Sequence, residues 1–307
     1  MGLPPLIKLM RPKQWAKSAF VLIGPLYALA DPAKRGLDPR EVLTNALLAA
    51  VAFSLASSGC YIINDVMDVE SDRNHPRKKH RPLASGAVSI KTAWSLALVL
   101  FAAAGLATAF VPIPNLWWVA GLVGAYSVNV AAYSVAIKKV VIADVMSLSL
   151  GFVLRVLGGC AASGVSPSTW LLNCTLFFAM FLAFGKRLGE RRTVADAASI
   201  RAVQGRYTDE LLRMATVVTG VALLVTYAGY LESRQDQYTM PLWGFAAGFN
   251  VLWITIIPAT FGLLRSIVLL ETGVYDDPTE LASKDLSMQL SVGTFGVLTL
   301  LPWVLRG

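Results

Sequence analysis

Apolar residues run along this chain in blocks of about 17 to 25, the length that crosses a bilayer as a helix. The blocks fall at roughly 14–31, 42–63, 92–111, 115–137, 140–162, 169–185, 211–231, 240–264 and 286–305, with polar residues gathered between them. This pattern predicts an all-α, polytopic membrane protein: a nine-helix transmembrane bundle forming a single membrane-embedded domain over 1–307. The first block is interrupted by Lys17 and Pro25. Its front half, "LIKLMRPKQWAK", suits an amphipathic helix lying in the interface over 1–17. Nothing resembles a cleaved signal peptide, and there is no internal repeat, low-complexity tract or nucleic-acid motif.

Composition agrees. The 307 residues are 55% hydrophobic and 15% charged, with a mean hydropathy of +0.59, far from the range of soluble domains. The net charge of +8 is one-sided. Numbering the connections from the N-terminus, 21 of 27 lysines and arginines fall on the even side: four in residues 8–17, six in 73–91, two at 138–139, seven in 186–213, and Arg265 with Lys284. The positive-inside rule then places the N-terminus and the loops at 64–91 and 185–210 in the cytoplasm of a cell whose plasma membrane holds the protein. Cys60, Cys160 and Cys174 are isolated, and with His75 and His80 they show no metal-type spacing.

Topology accounts for the lysines but not for the acids beside them. In "YIINDVMDVESDRNHPRKKHRPLASG", residues 61–86, a continuing helix places Asn64, Asp65, Asp68 and Asp72 on one face over two turns, with Tyr61 one turn before Asp65. Carboxylates so close repel one another unless a cation holds them. Oxygen ligands of this kind suit Mg2+, which is commonly bound through a few carboxylates together with substrate phosphates. The aspartates thus imply magnesium, and magnesium a diphosphate. Arg73, Arg77 and Arg81 follow at once and suit the remaining phosphate oxygens. Lys138, in a short basic pair, and Lys17 are further candidates for a phosphate.

The stretch "NDVMDVESD" resembles the first aspartate motif, N-D-x-x-D-x-x-x-D, of the UbiA-type intramembrane prenyltransferase superfamily. With "DRNHPRKKHRPLASG", "RPKQWAKS" and "GKRLGERR", it looks most like the decaprenyl-phosphate phosphoribosyltransferase branch, over about Pro12 to Arg192. The resemblance implies a nine-helix bundle whose site opens to one side. It also implies a magnesium-dependent transfer of a 5-phosphoribosyl group from phosphoribosyl diphosphate to a polyprenyl phosphate, serving cell-wall biogenesis. Members that use a prenyl diphosphate carry a second motif, D-x-x-x-D, after the sixth helix. This chain has "FGKRLGERR" there, with Lys186 and Arg187 in place of carboxylates and Glu190 the remaining acid. A basic pair suits a further phosphate bound without metal, such as the donor's 5-phosphate.

Two helix interiors carry polar groups that require a reason. Tyr126, Asn129 and Tyr133 form a stripe along one helix, and Asp144 and Arg155 lie on one face of the next, about three turns apart. Charge inside a membrane segment marks a site by default, so Tyr126, Tyr133, Asp144 and Arg155 join the substrate-binding candidates and Arg155 is expected to be buried. Gly151, Gly158 and Gly159 read as close packing contacts. Two other functions fit the pattern: a prenyltransferase attaching an isoprenoid chain to an aromatic or other small acceptor, and a transporter of an anionic or lipid-linked substrate. The missing second motif disfavours the first, and the lack of paired repeats the second.

Overall fold

The computed structural model describes residues 3–31, 34, 36–75, 78–193, 206–240, 248–272 and 284–304. They are almost entirely helical. In chain order come α1 (Pro5–Met10), a 3₁₀ segment (Pro12–Ser18), α2 (Ala19–Ala30), α3 (Pro39–Met67), α4 (Val69–Arg73), α5 (Ile90–Ala109) and α6 (Asn115–Val135). There follow α7 (Ala143–Ala162), α8 (Thr169–Thr193), α9 (Asp209–Ser233), α10 (Gln235–Tyr238), α11 (Ile256–Glu271) and α12 (Leu286–Val304). A two-residue antiparallel pair, Thr239–Met240 with Phe249–Asn250, precedes α11.

Among the described residues seven helical segments are long and apolar enough to cross a membrane, and Leu286–Leu300 adds a shorter apolar stretch. The protein is a multi-pass membrane protein. Two expected blocks fold differently from a single span. Block 14–31 becomes the 3₁₀ segment followed by the twelve-residue α2, with Pro25 inside it. Block 240–264 opens on the strand pair, and its helical part is shifted to Val251–Glu271. Elsewhere the ends follow local chemistry. Asp38 accepts from Arg40 N at 2.9 Å with Pro39 as the first residue of α3, and Ser89 and Thr208 accept from the backbone at the starts of α5 and α9.

The chain divides into two compact units, residues 1–138 with 150–167, and 139–149 with 168–307. In the first, α3 is the central element and packs on α1, α2, α5 and α6. Its buried face reads Ala46, Ala49, Ala52, Phe53, Ala56, Ser57 and Cys60; apart from Phe53 these are small residues that let neighbouring backbones approach. The outward positions, Leu98 of α5 and Trp117 and Trp118 of α6 among them, stay apolar and exposed, as contact with lipid requires. In the second unit α8 packs on α9 and α11, and α11 on α12.

The tightest approach in the first unit is at Gly159 of α7, where a Cβ would lie 1.7 Å from the carbonyl oxygen of Val21. Backbone cannot yield as a side chain can. Gly159→Ala is expected to destabilise the protein by about 1–3 kcal/mol or more, whereas Gly293→Ala, with nothing within 4 Å of its Cβ, should leave the melt unchanged. Thermal unfolding in detergent compares the two.

Candidate functional site

The aspartate motif sits where α3 ends. The helix runs to Met67, Asp68 adopts φ −93°, ψ 4°, and α4 resumes at Val69, so the side chains from Tyr61 to Asp72 stay close to one helical course. Asp65 and Asp72, 3% and 2% exposed, converge on one cation. Arg81 Nη1 donates to Asp65 Oδ1 at 3.2 Å and to Asp72 Oδ2 at 2.6 Å. Arg11 donates to Asp65 Oδ1 at 2.5 Å from the other side. Lys78 Nζ lies 3.8 Å from Asp72. Asp68 is drawn elsewhere: Lys138 reaches it at 3.4 Å, and Asn64 Nδ2 donates to its other oxygen at 3.1 Å. Among the described residues no three acidic, histidine or cysteine side chains form one group fit for a metal. The structure thus joins two of the three carboxylates and gives the third its own counterion.

Arg11 did not stand out in the sequence. It lies in the left-handed region (φ 53°, ψ 58°) between α1 and the 3₁₀ segment, because the following Pro12 disfavours a continued helix there. That turn carries its guanidinium to Asp65 and over the Tyr61 ring, 4.9 Å from the centroid. Its signal was the first letter of "RPKQWAKS". Lys17 is half-buried in the 3₁₀ segment and Arg73 is exposed at the end of α4. Arg77 lies outside the described residues.

The polar stripe of α6 belongs to the same unit. Tyr126 is buried and donates to Ser57 Oγ of α3 at 3.1 Å, while Tyr133 is half-buried two turns on. Arg155 of α7, 4% exposed, donates to Tyr126 Oη at 2.7 Å.

The second unit holds a separate buried cluster. Arg187 of α8 pairs with Asp144 Oδ2 at the start of α7, and both are buried. The Tyr207 hydroxyl donates to Asp144 Oδ1 at 2.6 Å and accepts from Ile142 N at 2.7 Å, where the backbone takes φ 68°. Arg191 fixes the tyrosine's own segment, donating to Tyr207 O at 2.9 Å and to Asp209 at 2.7 Å. Lys186 and Glu190, one turn apart on α8, are half-buried. Burial, then the hydrogen bond to Asp144, pushes the Tyr207 phenol up to about 12. The sequence marks Asp144 and Arg187 but not their pairing, since 43 residues separate them.

With this geometry in place the comparisons are informative. The model of the UbiA prenyltransferase family matches residues 18–291. The chain belongs to the UbiA prenyltransferase family. A decaprenyl-phosphate phosphoribosyltransferase of Mycolicibacterium smegmatis is 34% identical over 303 residues, covering 95% of this chain and 91% of that protein. One of Corynebacterium glutamicum is 31% identical, covering 93% and 82%. Solved UbiA homologs share the fold. That of Archaeoglobus fulgidus bound to GPP and Mg2+ matches with TM-score 0.59 at 18% identity over 97% of this chain and 96% of that one. The apo structure from Aeropyrum pernix K1 matches with TM-score 0.63 at 16% identity, covering 94% and 98%.

Two outcomes follow from the clusters. Arg81→Gln removes the cation shared by Asp65 and Asp72, leaving Arg11 on the one and Lys78 near the other, and should lower stability by about 1–3 kcal/mol. Asp72→Asn in the same chain should recover part of that loss, read by thermal unfolding without metal. In the second unit the unfolded phenol titrates at about 10 and the folded one at about 12, so Tyr207 contributes stability that is full below pH 10 and is lost as pH rises towards 12. Tyr207→Phe should cost about 1–3 kcal/mol at neutral pH and should flatten that part of the alkaline stability profile.

Proposed function

We propose that the protein is a polyprenyl-phosphate phosphoribosyltransferase: it moves a 5-phosphoribosyl group from phosphoribosyl diphosphate to a polyprenyl phosphate and releases pyrophosphate. The reading is supported by the 31–34% identity to enzymes of that name across more than nine-tenths of the chain, and by the aspartate cluster with its arginines. At 186–190 the basic pair replaces a second aspartate motif, which favours a donor carrying a further phosphate.

The donor set fits Mg2+. Asp65 and Asp72 already direct two hard oxygens at one cationic point, and Asp68 with Asn64 lies one turn away on the same course. Bound there, the ion would neutralise charge on a departing diphosphate. The protein's own groups do the rest. Arg11 and Arg81, relieved of their aspartates, have donors for phosphate oxygens, and Tyr61 lies beneath Arg11. The bond from ribose carbon one to the diphosphate breaks with its electron pair leaving on the diphosphate, and an oxygen of the lipid phosphate forms the new bond. The nucleophile is already an anion, so no base is required. We place this site on the cytoplasmic face, on the strength of the lysine and arginine distribution.

Purified protein in detergent should transfer radiolabel from phosphoribosyl diphosphate to polyprenyl phosphate, and a chelator should stop it. Asp65→Asn and Asp68→Asn should each lower the rate at least about a hundredfold, losing roughly 2.7 kcal/mol or more of transition-state stabilisation, without loss of folded protein. If the protein instead ignores this donor and couples a prenyl diphosphate to an aromatic acid, the proposal fails.

A further inference from the structure

Arg155 is a buried cation with no negatively charged partner among the described residues. Nη2 donates to Tyr126 Oη at 2.7 Å, Nη1 to the carbonyl of Gly151 one turn back at 3.1 Å, and Nε has no partner. The rings of Tyr126 and Phe152 flank it at 4.4 and 5.6 Å, a favourable but neutral setting. Among the described residues no carboxylate lies within ion-pair distance of it, whereas Arg187, equally buried, has Asp144. Guanidinium does not give up its proton, and an uncompensated charge in a membrane-spanning helix is strongly unfavourable. A protein retains such a group when a ligand supplies the missing charge.

Its place in the fold says which ligand. Tyr126 joins Arg155 to Ser57, and Ser57 lies eight residues before Asp65 on α3, about 12 Å along the helix axis. Tyr61, midway, lies under Arg11. The facing stripe of α6 runs from Tyr126 through Asn129 and Tyr133 towards Lys138, which pairs with Asp68. The two polar stripes therefore meet at both ends, at Tyr126 with Ser57 and at Lys138 with Asp68. Gly151 has no side chain beside the inner end. A Cβ there would lie 3.5 Å from the Tyr126 ring, 3.8 Å from Arg155 Nη1 and 3.9 Å from Asn129 Nδ2, so the glycine leaves methyl-sized room next to both donors.

We propose that Arg155, with Tyr126 and Asn129, forms a phosphomonoester subsite at the inner end of the polar seam between α3 and α6. The inference rests on the transferase reading for its two sources of that group. One is the 5-phosphate of the donor, at the end of the molecule away from its diphosphate. The other is the phosphate of the lipid acceptor. Both present the same oxygens to the guanidinium.

Binding without metal isolates this subsite from the aspartate cluster. Ribose 5-phosphate and geranyl phosphate are titrated separately into detergent-solubilised full-length protein by calorimetry, with chelator present. One of the two should bind to wild type, Arg155→Gln should weaken it at least about tenfold, and Arg155→Lys should fall between. The phosphate whose binding is lost names the source. Arg155→Gln should also melt no lower than wild type in the ligand-free state, because it removes an unbalanced charge, whereas a residue with a purely structural role would lower the melt. Should Arg155→Gln not fold, Arg155→Lys and Tyr126→Phe carry the same comparison. Folded variants that bind both phosphates as wild type does, or wild type that binds neither, overturn the subsite. Loss of phosphoribosyl transfer in wild type with this binding intact would instead remove the transferase reading and leave the subsite standing.

Discussion

Two carboxylates buried at the end of a membrane helix set the terms for the first unit. Asp65 and Asp72 cannot lie within reach of one another in a region of low dielectric unless positive charge lies with them, and Arg81 supplies it to both at once. Much of the surrounding irregular structure makes sense as a means of bringing that charge in. The break at Arg11 returns the N-terminal segment to α3, and the turn at 78–81 folds the basic loop back over α4. In the proposed reaction a divalent cation accompanied by an anionic substrate would satisfy the same carboxylates and free the same arginines.

The second unit follows the same rule with a different result. Asp144 and Arg187 neutralise each other in full burial, and Tyr207 completes the acid's hydrogen bonding while holding the left-handed turn at Ile142. The pair ties α8 to the first turn of α7. Among the described residues Arg155, further along α7, has only neutral hydrogen-bond partners. Two arginines of similar burial therefore differ in what completes them, an aspartate of the chain for one and, in the proposed subsite, a ligand phosphate for the other.

Much of this was legible in the sequence because bilayer thickness and helix rise fix span lengths. Helices α3 and α5 to α9 fall on expected apolar blocks for that reason. The first and eighth blocks carried less information. Mean apolarity does not distinguish a span from a 3₁₀ turn followed by a short helix, and Lys17 and Pro25 pointed only to an interruption. In the site, the successive spacings of one, three and four made the shared face of Asn64, Asp65, Asp68 and Asp72 readable in advance. The partners were not. Whether Asp68 turns to Lys138, or Arg11 to Asp65, depends on contacts 70 and 54 residues apart, which no local spacing encodes. The apolar context of Arg155 implied burial, but only the structure shows that no carboxylate pairs with it among the described residues.

The central claim is that arginines and a metal–diphosphate pair compete for one set of aspartates, and it is tested most directly by the linkage between Mg2+ and phosphoribosyl diphosphate binding. Titrating Mg2+ into the protein with and without the donor, by calorimetry in detergent, should give weak binding alone and binding at least about tenfold tighter with the donor present. Arg81→Gln should tighten the binding of Mg2+ alone and shrink the linkage. Tight Mg2+ binding that is indifferent both to the donor and to Arg81 would contradict the account.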